Sequence, residues 1–298
     1  MATDKTGLSR RDFMRGVGGA LVGMAVGLPA TASGKATQAG VSRVVLIRNE
    51  DVGLGLRRND GDLLRRMLDE AMMSLFGLNT PSDCWTHIIA PDDIVGIKTN
   101  IWRYLPTPPE LEQAIHRGVL GAGVSEQDIA MGDRDVRDNE VFRRSTALIN
   151  SRPMRTHAWS GVGSLIKNYI MFDNPEDYHP DACASLAKVW DLPITRGKTR
   201  LNVLVMLTPQ FHNIGPHHFD EEYTWPYGGL IVSTDPVAAD AIGLRIIQQK
   251  RRLAFGEDRP LQPTAHHIAL ADTEYGLGNA GMDKIELVRL GWQEDSLI

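Results

Sequence analysis

The chain has 298 residues, enough for one large domain, and its formal net charge is −5 at neutral pH. This acidic balance disfavours nucleic acids and anionic membranes as main partners, because both bind basic surfaces. Its 2 cysteines, Cys84 and Cys183, are too few for an iron–sulfur cluster or an all-cysteine zinc site, which leaves a disulfide or two free thiols.

The N-terminus has the pattern of a twin-arginine export signal. Arg10 and Arg11 precede a short uncharged run rich in glycine and alanine (17–28), and an Ala-Thr-Ala sequence at 30–32 offers a cleavage site. The run is too short to span a bilayer, and no later segment predicts a stable membrane span. We therefore expect residues 1–32 to be recognised by the twin-arginine translocation machinery. The mature protein should then be soluble and periplasmic, or otherwise extracytoplasmic.

After the signal, residues 33–42 have the composition of a flexible tether, and residues 43–298 predict a single domain of alternating strands and helices. Short apolar or β-branched runs predict strands at 43–48, 93–100, 128–132, 154–159, 201–207, 229–234 and 285–290. Helical spacing and capping residues predict helices at 60–76, 109–120, 163–169, 181–190, 235–252 and 263–275. This alternation predicts an α/β fold with a mainly parallel sheet and helices on both faces.

Polar side chains follow several of the predicted strands, at the point where each strand ends. They are Lys98, Asn100, Asp133, His157, Lys167, Asn168 and Asp235. Because parallel strands end at the same edge of a sheet, we expect these side chains to surround one crevice. Helix capping is an alternative role for Asp235.

Asp240 lies in a helical segment that is otherwise apolar. A buried carboxylate needs a partner or has a raised pKa. Asp240 is therefore a candidate site residue because of its burial, not because it follows a strand. A purely structural salt bridge with Lys98 or Arg245 is the alternative.

A loop after the predicted strand 201–207 contains His212, His217 and His218. Their spacing is neither the i, i+4 pattern of a helical metal site nor the i, i+2 pattern of a strand. A metal site formed by His157 with His217 or His218 and a carboxylate is therefore the weaker hypothesis. The glycine-rich fingerprints of dinucleotide and nucleotide binding do not occur, so the sequence identifies no organic cofactor.

Several short motifs occur in an order shared by one family. They are Val-Gly-Ile-Lys-Thr-Asn at 95–100, Thr-His at 156–157 with Ile-Lys-Asn at 166–168, His179, Ser-Thr-Asp-Pro-Val-Ala-Ala-Asp-Ala at 233–241 and Glu-Tyr-Gly-Leu-Gly at 274–278. The set resembles the domain of unknown function 362 family and covers most of residues 43–280. The resemblance implies a fold and a candidate site, with no established reaction.

The chain departs from the family pattern in two respects. Arg155 stands where the family usually has a lysine, which preserves the charge but removes an amine nucleophile. The ferredoxin-like cysteine clusters of many members are also missing, which argues against electron transfer through a cluster of the chain's own.

These observations favour an exported enzyme or small-molecule binder that takes an anionic or carbonyl-bearing ligand. The catalytic candidates are His157, as general acid or base, with Lys167 and Asp240. The ligand-binding candidates are Lys98, Asn100, Asp133, Asn168 and Asp235. One alternative is a non-catalytic accessory or assembly subunit with a periplasmic redox partner, and another is the His-ligated mononuclear metal protein.

Overall fold

The computed structural model describes residues 40–52, 60–213, 215 and 217–298. The expected signal peptide, and the expected tether up to residue 39, lie outside these described residues. Within the described part, no helix is long and apolar enough to cross a membrane.

The described residues form one sheet of 8 strands. The strands are β1 (Ser42–Arg48), β2 (Val95–Lys98), β3 (Ile129–Gly132), β4 (Ala147–His157), β5 (Gly161–Gly163), β6 (Thr199–Gln210), β7 (Gly229–Ser233) and β8 (Ile285–Gly291). Their order is β3-β2-β4-β6-β7-β1-β8, and β5 pairs with β4.

The sheet is mixed, with a majority of parallel pairs. The pairs β2–β3, β2–β4, β4–β6 and β1–β8 are parallel. The pairs β1–β7, β6–β7 and β4–β5 are antiparallel. The α/β class and the largely parallel sheet are thus confirmed, but β7 runs against both of its neighbours. The described part of the β6–β7 connection contains only a short 3₁₀ turn, Glu221–Tyr223, and antiparallel neighbours need no crossover helix.

Eight α-helical segments accompany the strands in the described part of the chain. They are α1 (Gly61–Phe76), α2 (Pro81–Ile88), α3 (Pro109–Gly121), α4 (Glu140–Arg144), α5 (Leu165–Asn168), α6 (Pro180–Cys183), α7 (Pro236–Phe255) and α8 (His266–Thr273). The longer helices have clear start signals. Asp60 accepts hydrogen bonds from the first amides of α1, and Asp235 does the same for α7, where Pro236 occupies the first helical position.

The hydrophobic core of the described residues consists of two clusters, and alternate residues of β1 belong to different clusters. Val44 and Leu46 pack with residues of α5, α7 and α8, whereas Val45 and Ile47 pack with residues of α1, α2 and α3. Successive side chains of a strand point to opposite sides of the sheet, which explains this division.

Two sequence-based expectations about local structure are wrong. The predicted helix 181–190 is broken, because Asp181, Ala182 and Cys183 have φ values of 50°, 50° and 65°, so the short segment α6 is an irregular turn rather than a regular right-handed helix. A separate 3₁₀ turn follows at Leu186–Asp191. The strand predicted to start at residue 154 begins instead at Ala147 and includes buried polar residues, which concealed it in the sequence.

Candidate functional site

Lys98 and Asp133 form a buried ion pair at the ends of β2 and β3. The Lys98 Nζ donates to Asp133 Oδ1 at 2.5 Å and to the Thr99 carbonyl at 2.7 Å, and Asp133 Oδ2 accepts from the Ile101 amide at 3.1 Å. Burial lowers the pKa of Lys98 to about 8, although Asp133 opposes the shift. Burial disfavours the Asp133 carboxylate, but the Lys98 ammonium overcomes this and holds the Asp133 pKa below its usual value.

Asn168, at the end of α5, joins this pair to the neighbouring strands. Its Nδ2 donates to Asn150 Oδ1 at 2.9 Å, to the Ser151 carbonyl at 3.2 Å and to the Lys98 carbonyl at 3.3 Å. Its Oδ1 accepts from Lys98 Nζ at 3.4 Å. The structure therefore brings Asp133 and Asn168 together through hydrogen bonds to Lys98, and their role as the lining of a crevice stays a prediction.

Asp240, in α7, caps the start of the segment that contains Lys167. Its carboxylate accepts from the Ser164 hydroxyl at 2.6 Å and from the amides of Leu165 and Ile166, both at 2.9 Å. Burial raises the pKa of Asp240 to about 7, against the opposing effect of these hydrogen bonds. No ion pair of Asp240 occurs among the described residues, and Lys98 pairs with Asp133 instead, so the alternative of a structural salt bridge is wrong. Asp240 positions the backbone around Lys167.

Lys167 is a buried amine with an unusual partner. Its Nζ donates to Cys183 Sγ at 3.3 Å, and Cys183 Sγ in turn donates to the Trp159 carbonyl at 3.4 Å. Burial lowers the pKa of Lys167 to about 8, with Arg152 and Arg155 adding to the shift and Cys183 opposing it. Both cysteines are buried free thiols, so the disulfide alternative is wrong.

His157, at the end of β4, is held as a neutral imidazole. Its Nδ1 accepts a hydrogen bond from the Trp159 amide at 3.2 Å, so the ring proton lies on Nε2. Burial lowers the pKa of His157 well below 6.5, and the charge of Lys167 adds to the shift. Since Nδ1 is occupied and the ring is neutral, His157 offers a ligand an N–H donor at Nε2.

Arg152 and Arg155 of β4 are buried guanidinium groups, 4% and 3% exposed. The Nε atom of each has no hydrogen-bond partner in the described part of the chain. Arg155 donates to Asn100 Oδ1 at 3.4 Å and lies 4.2 Å from the Trp102 ring centre. A side chain at Gly163 would come within 2.7 Å of Arg152 Nη2, so glycine at this position leaves room for Arg152.

Most of the buried side-chain atoms without a hydrogen-bond partner occur in this neighbourhood. They are Ser151 Oγ, Arg152 Nε, Arg155 Nε, Gln210 Nε2 and Oε1, and His267 Nδ1 and Nε2; Glu110 Oε2 completes the set among the described residues. Gln210 of β6 is the register partner of Arg155, and the charges of Lys167 and Arg152 act on His267. Buried polar groups in proteins are nearly always satisfied by protein, water or ligand, so the unpartnered atoms of β4 and of Gln210 make this position a candidate for a bound polar molecule. We call Ser151, Arg152, Arg155, Lys167, Gln210 and His267 the polar cluster.

A cavity of about 400 Å³ lies at the end of β4, and no residue of the polar cluster is among its lining residues. Its lining includes Thr156, His157, Gly161, His212 and Arg259. The volume is within the range of small-molecule pockets. His157 lines the cavity and also acts electrostatically on the cluster, so it connects the two.

Asp235 does not join the other predicted site residues. Its carboxylate accepts from Ser42 Oγ at 2.6 Å and from the Asn279 amide at 2.8 Å, and it caps α7. A side chain at Gly278 would collide with it, which explains that glycine. Because β7 is antiparallel, Ser233 lies opposite Asn202 near the start of β6, whereas Arg155 lies opposite Gln210 at its end. Asp235 is therefore remote from Arg155 along the strands, and its described hydrogen bonds go to Ser42, Asn279 and the start of α7, so the expectation that it joins the other predicted residues is wrong.

The histidine metal site proposed from the sequence is not formed. The His217 ring packs edge-on against Trp159, with ring centres 5.0 Å apart, and the His179 ring stacks on the same indole at 4.2 Å. In the described ranges, no group of three or more His, Cys, Asp or Glu side chains is arranged to hold a metal ion. His157, His217 and His218 thus do not form a ligand set there.

Sequence reasoning missed Arg152, Gln210 and His267 as members of the site. A signal was available for Arg152, because the run 150–152, Asn-Ser-Arg, interrupts an apolar strand. Gln210 and His267 carry no comparable signal, since only tertiary packing buries them without partners.

Comparisons with models of protein families, with curated proteins and with solved structures find no match to this chain.

Proposed function

We propose that this chain is an exported periplasmic protein that binds a small anionic molecule at the polar cluster, as an enzyme or as a binder. The observation that carries the proposal is the pair of buried guanidinium groups, Arg152 and Arg155, whose Nε atoms have no partner among the described residues. A guanidinium is the side chain best suited to bind carboxylate or phosphate oxygens.

The charges around the cluster support an anionic ligand. Arg152, Arg155 and Lys167 have no carboxylate oxygen within 4.0 Å in the described residues. The nearby carboxylates have other partners: Asp133 accepts a hydrogen bond from Lys98, and Asp240 accepts from the amides at the start of α5. Buried charges without a counterion are costly, and a bound anion offsets that cost.

The neutral His157 ring supports an enzymatic role. A neutral imidazole that donates from Nε2 can polarise a carbonyl or phosphoryl oxygen without first being protonated. This role replaces the general acid or base expected from the sequence.

We also propose kinship with the domain of unknown function 362 family. We further propose that helices cover both faces of the sheet, as the two hydrophobic clusters suggest.

The proposal is tested by thermal unfolding of the purified protein with phosphate, sulfate, acetate or pyruvate, against chloride at the same ionic strength. A ligand that binds only the folded state raises Tm in proportion to the logarithm of its concentration. We expect at least one oxyanion to raise Tm in the wild type and in the surface variant Arg65→Gln, but not in Arg155→Gln. Equal responses to all anions, or an unchanged response in Arg155→Gln, would contradict the proposal. Failure of every anion to raise Tm would also contradict the proposal.

A further inference from the structure

We infer that Lys167 is a nucleophilic amine that forms an imine with the carbonyl carbon of a 2-oxo acid bound at the polar cluster. The inference rests on the proposed function, because it assumes that the cluster binds an anion. It adds the class of ligand and the covalent step.

Lys98 is the other lysine buried in the described part of the chain, and comparison with it distinguishes Lys167. Lys98 Nζ has three oxygen acceptors, on Asp133, Thr99 and Asn168, and one of these is a carboxylate at 2.5 Å. Lys167 Nζ has a single described partner, the Cys183 thiol sulfur at 3.3 Å, and a thiol is a weak hydrogen-bonding group. Replacing this contact with a covalent bond to a ligand therefore costs Lys167 little.

The surroundings of Lys167 favour the uncharged amine, which is the nucleophilic form. The amine is 2% exposed, and its pKa is about 8 because of burial and the positive charges of Arg152 and Arg155. Desolvation together with neighbouring cations is an established way to activate a lysine for imine formation. A substantial fraction of Lys167 is thus uncharged at mildly alkaline pH.

The neighbouring groups match the two functional groups of a 2-oxo acid. The unpartnered Nε donors of Arg152 and Arg155 suit the carboxylate, and the Nε2 donor of His157 suits the carbonyl oxygen. His157 also lines the cavity of about 400 Å³, which is large enough for a short oxo acid. In the proposed complex, arginine binds the carboxylate and the Lys167 amine attacks the carbonyl carbon.

The reaction needs no additional reactant. The Nζ lone pair of Lys167 attacks the carbonyl carbon, the π electrons move to oxygen, and a proton passes from nitrogen to that oxygen, which gives a carbinolamine. The carbinolamine then loses its hydroxyl group and one proton as water while the carbon–nitrogen double bond forms. Amine and carbonyl become imine and water, without oxidation or reduction. His157 stabilises the negative charge that develops on oxygen in the first step.

The experiment is reductive trapping with the purified full chain. The protein is incubated with pyruvate or 2-oxoglutarate and sodium cyanoborohydride, its intact mass is measured, and the modified residue is found by peptide mapping. Lactate, which has a hydroxyl in place of the carbonyl, is the matched ligand control. Lys167→Arg keeps the charge but removes the nucleophile, and Lys284→Arg changes an exposed lysine as the matched protein control.

We expect one adduct per chain, located on Lys167, formed with an oxo acid but not with lactate, retained in Lys284→Arg and lost in Lys167→Arg. If Lys167→Arg folds poorly, peptide mapping of the wild-type adduct still shows whether Lys167 is the modified residue. Adducts on Lys98, or spread over exposed lysines, would overturn the inference. An oxo acid that raises Tm without forming an adduct would overturn the inference and leave the proposed function standing. Absence of both effects would overturn both.

Discussion

The carboxylate of Asp240 and the hydroxyl of Ser164 are 2.6 Å apart and join α7 to the start of α5. The same carboxylate accepts two backbone amides of α5, so it fixes the turn from which Lys167 projects. Asp240, a catalytic candidate in the sequence, is therefore a positioning residue, remote in sequence from the amine that it supports.

Replacing Asp240 with asparagine should destabilise the protein. The amide has only one acceptor oxygen, so at least one of the three donors that face the carboxylate loses its partner. We expect the free energy of unfolding to fall by about 1–3 kcal/mol. Urea denaturation at pH 8 measures the change, with Asp62→Asn at the exposed start of α1 as control. A loss no larger than that of the control would contradict the assignment.

Removing a buried, unpaired guanidinium should have the opposite effect. We expect Arg152→Met to raise the free energy of unfolding by about 1–3 kcal/mol in buffer without oxyanions, because an uncompensated buried charge is costly. The variant should also lose the increase in Tm that oxyanions cause. Arg65→Met, which removes a surface arginine paired with Asp69, is the control for denaturation. Destabilisation by Arg152→Met would identify Arg152 as a structural residue.

Much of the fold could be predicted because it depends on local patterns. The apolar spacing of α1, with Leu64, Met67 and Leu68 buried, and its Asp60 cap both follow from the sequence. The direction of β7 could not be predicted, since the run Gly229–Ser233 reads the same in either orientation. Its direction depends on the connection from β6 and on pairing with β1, neither of which has a local signature.

The same distinction applies to the site. Lys98, Asp133 and Asn168 could be found because they end or directly follow short elements whose ends meet. The position of Asp235 was predicted wrongly because Asp235 follows β7, and the direction of β7 could not be predicted from the sequence. The polar cluster depends on which buried donors lack partners, and that property exists only after the chain has folded.

The export signal leads to a prediction independent of the fold. We expect replacement of both Arg10 and Arg11 with lysine to leave the uncleaved precursor in the cytoplasm, because the translocation machinery recognises the arginine pair. Cell fractionation and immunoblotting measure the distribution. Lys5→Arg, which changes a basic residue outside the pair, should be exported normally. Periplasmic accumulation of the double variant would contradict the signal.

His267 should make the protein sensitive to acid. Burial lowers its pKa from 6.5 to about 3, and the charge of Lys167 adds to the shift. Between these pH values His267 binds a proton in the unfolded chain but not in the folded one. Its contribution to the free energy of unfolding is therefore fully present above pH 6.5 and is lost as the pH falls toward 3. One such group contributes roughly 1 kcal/mol per pH unit.

The variant His267→Leu should therefore lose less stability than the wild type between pH 7 and pH 5. His157 has a lowered pKa as well, so part of the acid sensitivity should remain. The adjacent and exposed His266 gives the matched control, His266→Leu. Denaturation curves at several pH values measure the slope. Parallel curves for the wild type and His267→Leu would show that His267 is not the group responsible.

Asp235 provides the test of the corrected site boundary. Its carboxylate receives hydrogen bonds from Ser42, from the Asn279 amide and from the first amides of α7, so Asp235→Ala leaves several donors unpaired. We expect a loss of about 1–3 kcal/mol in the free energy of unfolding. Because Asp235 is remote from Arg155 along the strands, the shift in Tm caused by a saturating oxyanion should match that of the wild type. Thermal unfolding with and without the anion measures both effects on one sample. If Asp235→Ala abolished the anion response while Asp240→Asn preserved it, the site would lie near Asp235.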